Sequence, residues 1–281
     1  MTQERLNRLA QQFLPLPVAQ DSKYTRGVVG FVSGGVDYPG AALLGISAAL
    51  SCPIGMVRYV GPVRVADLIL IEHPEVVTTQ SAETAGRCQT WVLGSGVSAN
   101  DAAQVQNIKS VLAQNPVAVV DAGALEIANF AALGDAKLIV TPHHGEALRL
   151  LQRLTGTELQ APQSTQEAVA LAHQLQAAVG QTVLLKGSTT VLTDGRSEPL
   201  LIGPNSAHLA TAGSGDVLAG LLGAIGAGAM QSGTIDWIEV AEFAVLLHSY
   251  AAEVVAQHQT VTASAITKAL PNLVRQLQEA Q

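Results

Sequence analysis

Short apolar segments alternate with helical patterns along most of this chain, and that alternation limits the fold more than any other feature. The segments 27–33, 117–120 and 182–185 are apolar almost throughout, and each is followed further along by a stretch with helical periodicity. Strands that are apolar on both faces are typical of parallel sheets covered by helices on both sides. The pattern therefore predicts an α/β fold with a mostly parallel central sheet between two helical layers.

The remaining strands and helices are predicted from the period of the apolar residues and from the glycine and proline residues that end each element. Strands are predicted at 27–33, 54–60, 91–94, 117–120, 138–140 and 182–185, with a small hairpin arm at 191–192 and 199–202. Helices are predicted at 3–14, 41–50, 102–112, 145–154, 165–179, 216–230, 236–256 and 262–277. The chain shows no long polar linker, internal repeat or low-complexity tract, so residues 1–281 are expected to form one domain.

Polar or glycine-rich residues follow five of the predicted strands. In open parallel sheets, ligands bind beyond the carboxyl ends of the strands. A ligand site is therefore expected at this edge of the sheet. The residues concerned are Ser33-Gly34, Gly94-Ser95-Gly96, Asp121, His143 and Lys186-Gly187.

The run Gly213-Ser214-Gly215-Asp216 precedes an apolar helical stretch and carries the strongest chemical signal. Glycines let backbone N–H groups turn toward an anion, and the first turn of a helix adds unpaired N–H groups with a partial positive charge. These features together predict a phosphate-binding anion hole. Asp216 has two interpretations here: a general base for an attacking hydroxyl, or a cap of the helix.

Composition excludes several classes of function. The net charge is −7 and no cluster of Lys or Arg is present, which argues against nucleic acid and a membrane surface as partners. No apolar segment reaches the ~20 residues that span a bilayer, and Glu4, Arg5 and Arg8 interrupt any signal-peptide core. Cys52 and Cys88 form neither a disulfide framework nor a metal motif, as expected of a cytoplasmic protein.

Six motifs in order resemble one family across roughly residues 27–255. The chain resembles the ADP-dependent NAD(P)H-hydrate dehydratases, which belong to the ribokinase-like superfamily with its three-layer α/β/α fold. The motifs are Tyr38-Pro-Gly-Ala-Ala-Leu-Leu44, Leu93-Gly-Ser-Gly96, Val120-Asp-Ala-Gly-Ala-Leu125, Val140-Thr-Pro-His-His-Gly-Glu146, Leu185-Lys-Gly-Ser-Thr-Thr190 and the stretch from Ala210 to Gly220.

The resemblance implies a repair reaction on NADH or NADPH that has taken up water at the nicotinamide ring. The family is thought to phosphorylate the ring hydroxyl from ADP or ATP, with Mg²⁺, and then to eliminate phosphate. By the same resemblance, Asp216 is the base, and the anion hole is formed by Gly213, Ser214 and Gly215. The residues expected to bind the nucleotide are Lys186, Gly187, Ser188, Thr189, Thr190 and Gly215. The residues expected to bind the hydrated dinucleotide are Gly40, Ala41, Gly96, His143 and Asp216.

Simpler interpretations of several residues remain open at this point. Lys186 also fits a solvated lysine at a strand end, and His143 also fits a residue that closes a turn and caps a helix. Gly94 and Gly96 also suit an ordinary turn, Glu146 suits the first turn of a helix, and His248 suits a core or an interface. The metal ligands are unknown from the sequence.

The chain departs from the family pattern in places. Gly123 stands where relatives usually carry a second Asp, so any metal or substrate role of that acid is in doubt. The stretch His208-Leu209 differs from the Gly- and Pro-rich form common before the last motif. The turn 34–37 lacks a basic residue often found there.

The sequence leaves two other functions open. A small-molecule kinase for a vitamin precursor would share the base and the anion hole, and a catalytically inactive nucleotide-binding protein would keep only the fold.

Only 13% of the residues are charged, and the helix 236–256 is apolar on more than one face. Such a helix is buried centrally in the domain or against another subunit, and the resemblance favours a homo-oligomer, a tetramer above all.

Overall fold

The computed structural model describes residues 3–230 and 233–280. Within them, one nine-stranded sheet has the order β3-β2-β1-β4-β5-β6-β7-β8-β9. Neighbouring strands from β3 to β7 run parallel, and β8 and β9 add an antiparallel arm. The strands are β1 (Val28–Val32), β2 (Met56–Val60), β3 (Val77–Thr79), β4 (Thr90–Leu93), β5 (Val117–Val120), β6 (Lys137–Val140), β7 (Thr182–Leu185), β8 (Thr190–Thr193) and β9 (Leu200–Ile202).

Ten α-helices occur in the described part of the chain, and they cover both faces of the sheet. They are α1 (Gln3–Phe13), α2 (Pro39–Leu50), α3 (Val63–Glu72), α4 (Ala102–Leu112), α5 (Gly123–Ile127), α6 (His144–Thr155), α7 (Thr165–Val179), α8 (Ser214–Ala229), α9 (Trp237–Ala256) and α10 (Ala263–Glu279).

Two apolar cores lie on the two faces of the sheet. One contains buried residues of α1, α2, α3, α8, α9 and α10, and the other contains those of α4 to α7. Successive side chains of a strand point to opposite faces, so Val119 of β5 contributes to the first core and Val120 to the second. The three-layer α/β/α architecture predicted from the sequence is confirmed.

The order of the strands reverses at β1, whose neighbours are β2 and β4. The chain passes from β1 outward to β3 and then returns to β4 on the other side. Such a reversal opens a crevice at the carboxyl ends of the strands, where ligands bind in open α/β sheets. All five predicted polar strand ends follow the strands β1, β4, β5, β6 and β7, as expected.

Helix α8 is fixed over the sheet by a close approach to α2. A Cβ atom added to Gly220 of α8 would lie 2.0 Å from the carbonyl oxygen of Gly45 in α2. Only glycine allows the two backbones to approach so closely. This contact sets the position of α8, and with it the position of the helix start where Gly213 to Asp216 lie.

Three elements were not predicted. Helix α3 has exposed apolar residues such as Ile71, so it shows no clear division into polar and apolar faces. Strand β3 has three residues and lies at the edge of the sheet, and α5 has only five residues. Short elements of this kind have too few residues to display a period.

Helix α9 is buried within the protomer, where it packs against α1, α8 and α10. Phe13 of α1 stacks on Phe243 of α9, with ring centroids 5.7 Å apart, and Arg5 forms an ion pair with the buried Glu242. The apolar faces of α1 and α9 therefore cover each other without a second subunit. None of the helices in residues 3–230 and 233–280 combines the length and apolarity needed to span a lipid bilayer.

Candidate active site

Asp121 lies at the centre of a hydrogen-bonded cluster at the carboxyl ends of four neighbouring strands. Its side chain accepts hydrogen bonds from Ser95 Oγ (2.9 Å, after β4) and Thr141 Oγ1 (2.8 Å, after β6). Lys186 Nζ, after β7, donates a third at 2.8 Å. Asp121 itself is only 3% exposed, so these bonds are needed to compensate the buried negative charge.

Lys186 is surrounded by carboxylates and is not a solvated strand-end lysine. Its ammonium group pairs with Asp121 at 2.8 Å and lies 3.9 Å from Glu146 Oε2. Burial alone would lower the pKa of Lys186, but the negative charges of Asp121, Glu146 and Asp216 raise it above its usual value. The ammonium group is therefore a fixed positive charge at this edge of the sheet.

The start of α8 forms an anion hole next to that charge. Gly213 adopts the left-handed conformation, with φ of 87°, and precedes the first residue of the helix. Ser214 N–H donates to the Thr211 carbonyl, whereas no backbone oxygen in the described residues accepts the N–H of Gly215 or Asp216. A Cβ atom at Gly215 would lie 3.6 Å from Lys186 Nζ, so a bound phosphate would meet the free N–H groups and the ammonium group together.

Asp216 lies in the first turn of α8 without capping it. The residue that caps the helix is Gly213, and no donor among the described residues bonds to the Asp216 carboxylate. Burial, followed by the charge of Asp121, raises the pKa of Asp216 from 3.8 to about 6, while Lys186 lowers it. The capping interpretation is therefore wrong, and the carboxylate has the free lone pairs and raised pKa of a general base.

A cavity of about 620 Å³ opens beside the anion hole and joins most of the predicted nucleotide residues. Its volume is in the usual range for a small-molecule site. Its walls include Lys186, Gly187, Ser188, Thr190, Ser214, Gly215 and His143. Thr189, which was predicted with them, is not among the residues that line it.

Asn205, which follows β9, connects that part of the chain to the loop after β7. Its side-chain amide donates to the Gly187 carbonyl at 3.1 Å and to Thr190 Oγ1 at 3.0 Å. Its backbone N–H donates to the Ser188 carbonyl at 2.7 Å. These bonds hold the Lys-Gly-Ser-Thr-Thr segment in one conformation, a role that the sequence did not reveal because no motif included Asn205.

His143 caps helix α6. Its Nδ1 accepts the N–H groups of Gly145 (3.0 Å) and Glu146 (3.4 Å), while Glu146 Oε2 accepts His143 N–H at 2.8 Å. This reciprocal pair is a capping box, so the capping interpretation of His143 is confirmed, and Glu146 lies in the first turn of the helix as expected. Because Nδ1 accepts, the ring proton lies on Nε2, which stays able to donate to a ligand in the cavity.

Gly40, Ala41 and Gly96 lie together, near the backbone of Asp216. A Cβ atom on Gly96 would lie 2.6 Å from Ala41 Cβ, and the space around Gly40 is open. Gly45, one turn beyond Ala41, contacts the Asp216 backbone. Three of the four residues predicted to bind the hydrated dinucleotide besides Asp216 therefore form one surface, whereas His143 lies on the nucleotide cavity.

His248 was expected in a core or an interface, and the structure places it at the wall of the nucleotide cavity. It is 4% exposed, and burial lowers its pKa to about 4, so the ring is neutral at physiological pH. Its Nε2 has no hydrogen-bond partner among the described residues. The apolar residues around it in α9 gave no sequence signal of a cavity.

No group of three or more Asp, Glu, His or Cys side chains in the described residues could hold a metal ion. Both carboxylate oxygens of Asp121 already accept hydrogen bonds. Position 123, where the family's second acid would stand, leaves no room for a side chain, because a Cβ atom there would lie 2.1 Å from the Val97 carbonyl oxygen. The residues present therefore do not form a protein-built Mg²⁺ site.

Comparison with known proteins gives one consistent result. The model of the NAD(P)H-hydrate dehydratase family matches residues 29–272. The chain is 37% identical over 223 residues to the bifunctional NAD(P)H-hydrate repair enzyme Nnr of Mycobacterium tuberculosis, covering 78% of this chain and 45% of that protein. It is 32% identical over 258 residues to the ADP-dependent (S)-NAD(P)H-hydrate dehydratase of Neisseria meningitidis, covering 87% and 83% of the two chains.

Solved structures agree with the fold. The ADP/ATP-dependent NAD(P)H-hydrate dehydratase of Bacillus subtilis, co-crystallised with ATP and Mg²⁺, superposes with a TM-score of 0.78 at 25% identity, covering 96% of this chain and 97% of that one. A ribokinase from Thermotoga maritima shares the fold at a TM-score of 0.55 and 12% identity, covering 89% and 99%. The chain spans about half the length, or less, of the bifunctional relatives that it matches.

Proposed function

The chain belongs to the NAD(P)H-hydrate dehydratase family, and we propose that it removes water from hydrated NADH or NADPH in a reaction that consumes ADP. The observation that carries this proposal is the pairing of a free carboxylate, Asp216, with unpaired N–H groups and the Lys186 ammonium at one end of a nucleotide-sized cavity. A base, an anion hole and a fixed positive charge are what transfer of a phosphoryl group to a hydroxyl requires.

The first step is transfer of the terminal phosphoryl group to the ring hydroxyl. Asp216 takes the hydroxyl proton as the hydroxyl oxygen bonds to the terminal phosphorus of ADP. The bond from that phosphorus to the bridging oxygen breaks, and AMP leaves with the electron pair. The N–H groups of Gly215 and Asp216, together with Lys186, stabilise the negative charge of the phosphoryl group during its transfer.

The second step is elimination. The carbon–oxygen bond of the phosphate ester breaks, and inorganic phosphate leaves with the electron pair. The lone pair of the ring nitrogen supplies electrons, and the neighbouring ring carbon loses a proton, so that the ring double bond is restored. Phosphate is a much better leaving group than hydroxide, which is the reason for consuming a nucleotide.

The remaining roles divide between two groups of residues near Asp216. Lys186, Gly187, Ser188 and Thr190, which line the cavity, bind the nucleotide, with Gly213, Ser214 and Gly215 around its terminal phosphate. Gly40, Ala41 and Gly96 bind the hydrated ring, where glycine permits a close approach. His143, through Nε2, donates to a ligand where the two binding regions meet.

ADP is proposed as the donor, with ATP as a substitute, in line with the ADP-dependent relative of N. meningitidis and the structure of the B. subtilis protein with ATP and Mg²⁺. Since the residues that the structure describes include no cluster able to hold a metal ion, Mg²⁺ would be held chiefly by phosphate oxygens and water.

The test is to incubate the purified protein with hydrated NADH, ADP and Mg²⁺ and to follow the absorbance of NADH together with phosphate release. Both should rise in equal amounts, and a control variant at an exposed acid of α3, Asp67→Asn, should behave as the wild type. A kinase would consume nucleotide without restoring absorbance. An inactive binding protein would change neither, and either result would refute the proposal.

We further infer that residues 1–281 act as one cytoplasmic domain that assembles into a homotetramer. The two cysteines are unpaired, which suits a reducing compartment. The burial of α9 within the protomer removes one argument for assembly, but exposed apolar residues of α3 and of the edge strand β3 support it. These residues are Val63, Leu68, Leu70, Ile71 and Val77.

A further inference from the structure

The sequence marked Asp121 as a strand end within one family motif and gave it no role, yet three side chains of the site bond to it. Side chains from three other strand ends, Ser95, Thr141 and Lys186, each bond to it at 2.8 to 2.9 Å. The carboxylate therefore cannot move without breaking three bonds. Lys186, in contrast, has a long flexible side chain whose position depends on its partners.

Three carboxylates compete for the Lys186 ammonium group. Asp121 holds it at 2.8 Å, Glu146 lies 3.9 Å away, and no ion pair to Asp216 is formed in the described residues. A lysine that moved onto Asp216 would occupy the lone pairs that a base needs for an incoming proton. An opposite charge at contact also lowers the pKa of a carboxyl group by about 1–3 units, which makes it a weaker base.

We propose that Asp121 is a positioning residue for the reaction of this protein: it holds the Lys186 ammonium beside the anion hole and away from Asp216. Lys186 is thereby available to the transferring phosphoryl group, while Asp216 stays free to take the hydroxyl proton. This inference rests on the proposed function for its chemical meaning, but the arrangement of charges it describes can be measured in the absence of substrate.

The charges around Asp216 agree with these separate roles of Lys186 and Asp216. Asp121 faces it from the end of β5 and raises its pKa, while Lys186 faces it from β7 and lowers it. Glu146, from α6, acts on Lys186 and also lies 3.6 Å from His143 Nε2. Burial, followed by the neighbouring His143, lowers the pKa of His144, which lies beside Gly187. Loss of the Asp121 charge thus removes a repulsion on Asp216 and releases a cation toward it.

The test is a carboxyl ¹³C NMR titration of Asp216, assigned by the signal that disappears in Asp216→Asn. In the wild type the midpoint should lie near pH 6. In Asp121→Asn it should fall by about one to three pH units, the usual effect of a released opposite charge. Glu146→Gln is the matched control: it removes the other carboxylate near Lys186, keeps an oxygen for the cap, and should leave the midpoint within a few tenths of a unit.

An unchanged midpoint in folded Asp121→Asn, or an equal fall in Glu146→Gln, would overturn the proposal. If Asp121→Asn does not fold, Thr141→Val removes one anchor of Asp121 with little change in volume and should shift the midpoint in the same direction by a smaller amount. No shift in that variant would also contradict the proposal. These outcomes are independent of turnover, so an enzyme with no dehydratase activity would refute the proposed function alone.

Discussion

Among the three carboxylates near the ammonium group of Lys186, Asp121 and Asp216 have different surroundings, which separate their roles. Asp121 accepts three hydrogen bonds, one of them from the lysine with which it is paired, so its position is fixed. Asp216 is partly buried but accepts no hydrogen bond from the described residues, and its pKa is raised. When two neighbouring acids have different surroundings, one often has a structural role and the other a catalytic role.

Replacing Asp216 by Asn should abolish turnover while leaving the nucleotide bound. Asn keeps the size of the side chain but cannot accept the hydroxyl proton, and loss of a general base costs about 10²–10⁴-fold in rate. Steady-state rates, with ADP affinity by calorimetry, measure the two effects separately, and Asp67→Asn is the surface control. A variant that kept more than about a tenth of the wild-type rate would show that Asp216 is not the base.

The activity should fall on acidification with a midpoint near pH 6. The pKa of Asp216 is raised from 3.8 to about 6, so the carboxyl group is protonated below that pH and cannot act as the base. The kcat/KM should therefore decrease about tenfold per pH unit below the midpoint. ADP affinity over the same range corrects for titration of the nucleotide. A fall in kcat/KM with a midpoint near pH 4 would contradict the raised pKa of Asp216.

ADP should raise the melting temperature, and Lys186→Ala should lessen this rise. A ligand that binds only the folded state stabilises it by about 2.7 kcal/mol at one hundred times its Kd. The variant will itself be less stable because it leaves Asp121 buried without its cation, so the comparison is of the ADP-induced shift within each protein. Lys109→Ala, on the exposed side of α4, is the control. A wild-type melting curve unmoved by millimolar ADP would refute the nucleotide site.

At the scale of elements, the apolar runs sufficed to predict most of the core. Helices 102–112 and 165–179 and strands 117–120 and 182–185 have the predicted bounds. The two helices display several turns of their period, and three of the four segments end directly before Gly180, Asp121 or Lys186. Strand β3 and helices α3 and α5 could not be found, because their residues show no resolved period.

The candidate site was only partly visible in the sequence. The Gly-Ser-Gly-Asp run predicted an anion hole because its chemistry is local to one helix start. The cluster around Asp121 joins residues from four strand ends far apart in the chain, and Asn205 and His248 reach the cavity from elements without a motif. Contacts of this kind depend on the order of the strands, which the sequence does not display.

The contact between α2 and α8 should tolerate no side chain at Gly220. Gly220→Ala would place a Cβ atom 2.0 Å from the Gly45 carbonyl oxygen, and overpacking of this kind typically costs about 1–3 kcal/mol. Gly228→Ala is the matched control on the same helix, since nothing lies within 4 Å of its added Cβ atom. It should be neutral or stabilising by up to about 1 kcal/mol. Equal unfolding free energies for the two variants in urea would contradict the account of this contact.

At the scale of the whole molecule, light scattering at micromolar concentration should give a mass near four protomers. Ile71 of α3 is 78% exposed in the protomer, and an apolar side chain of this size at the surface suits an interface. Ile71→Glu should shift the mass toward smaller species, whereas Asp67→Asn on the same helix should not. A wild-type mass near 29.0 kDa would show a monomer.

The central claim is that the ring hydroxyl leaves as part of phosphate, and an oxygen label tests it most directly. Hydrated NADH carrying ¹⁸O in its ring hydroxyl is converted with ADP, and the released phosphate is examined by ³¹P NMR. Transfer followed by elimination predicts one ¹⁸O atom in each phosphate, with one AMP formed for each NADH restored. Recovery of the label in water, with unlabelled phosphate, would contradict the mechanism.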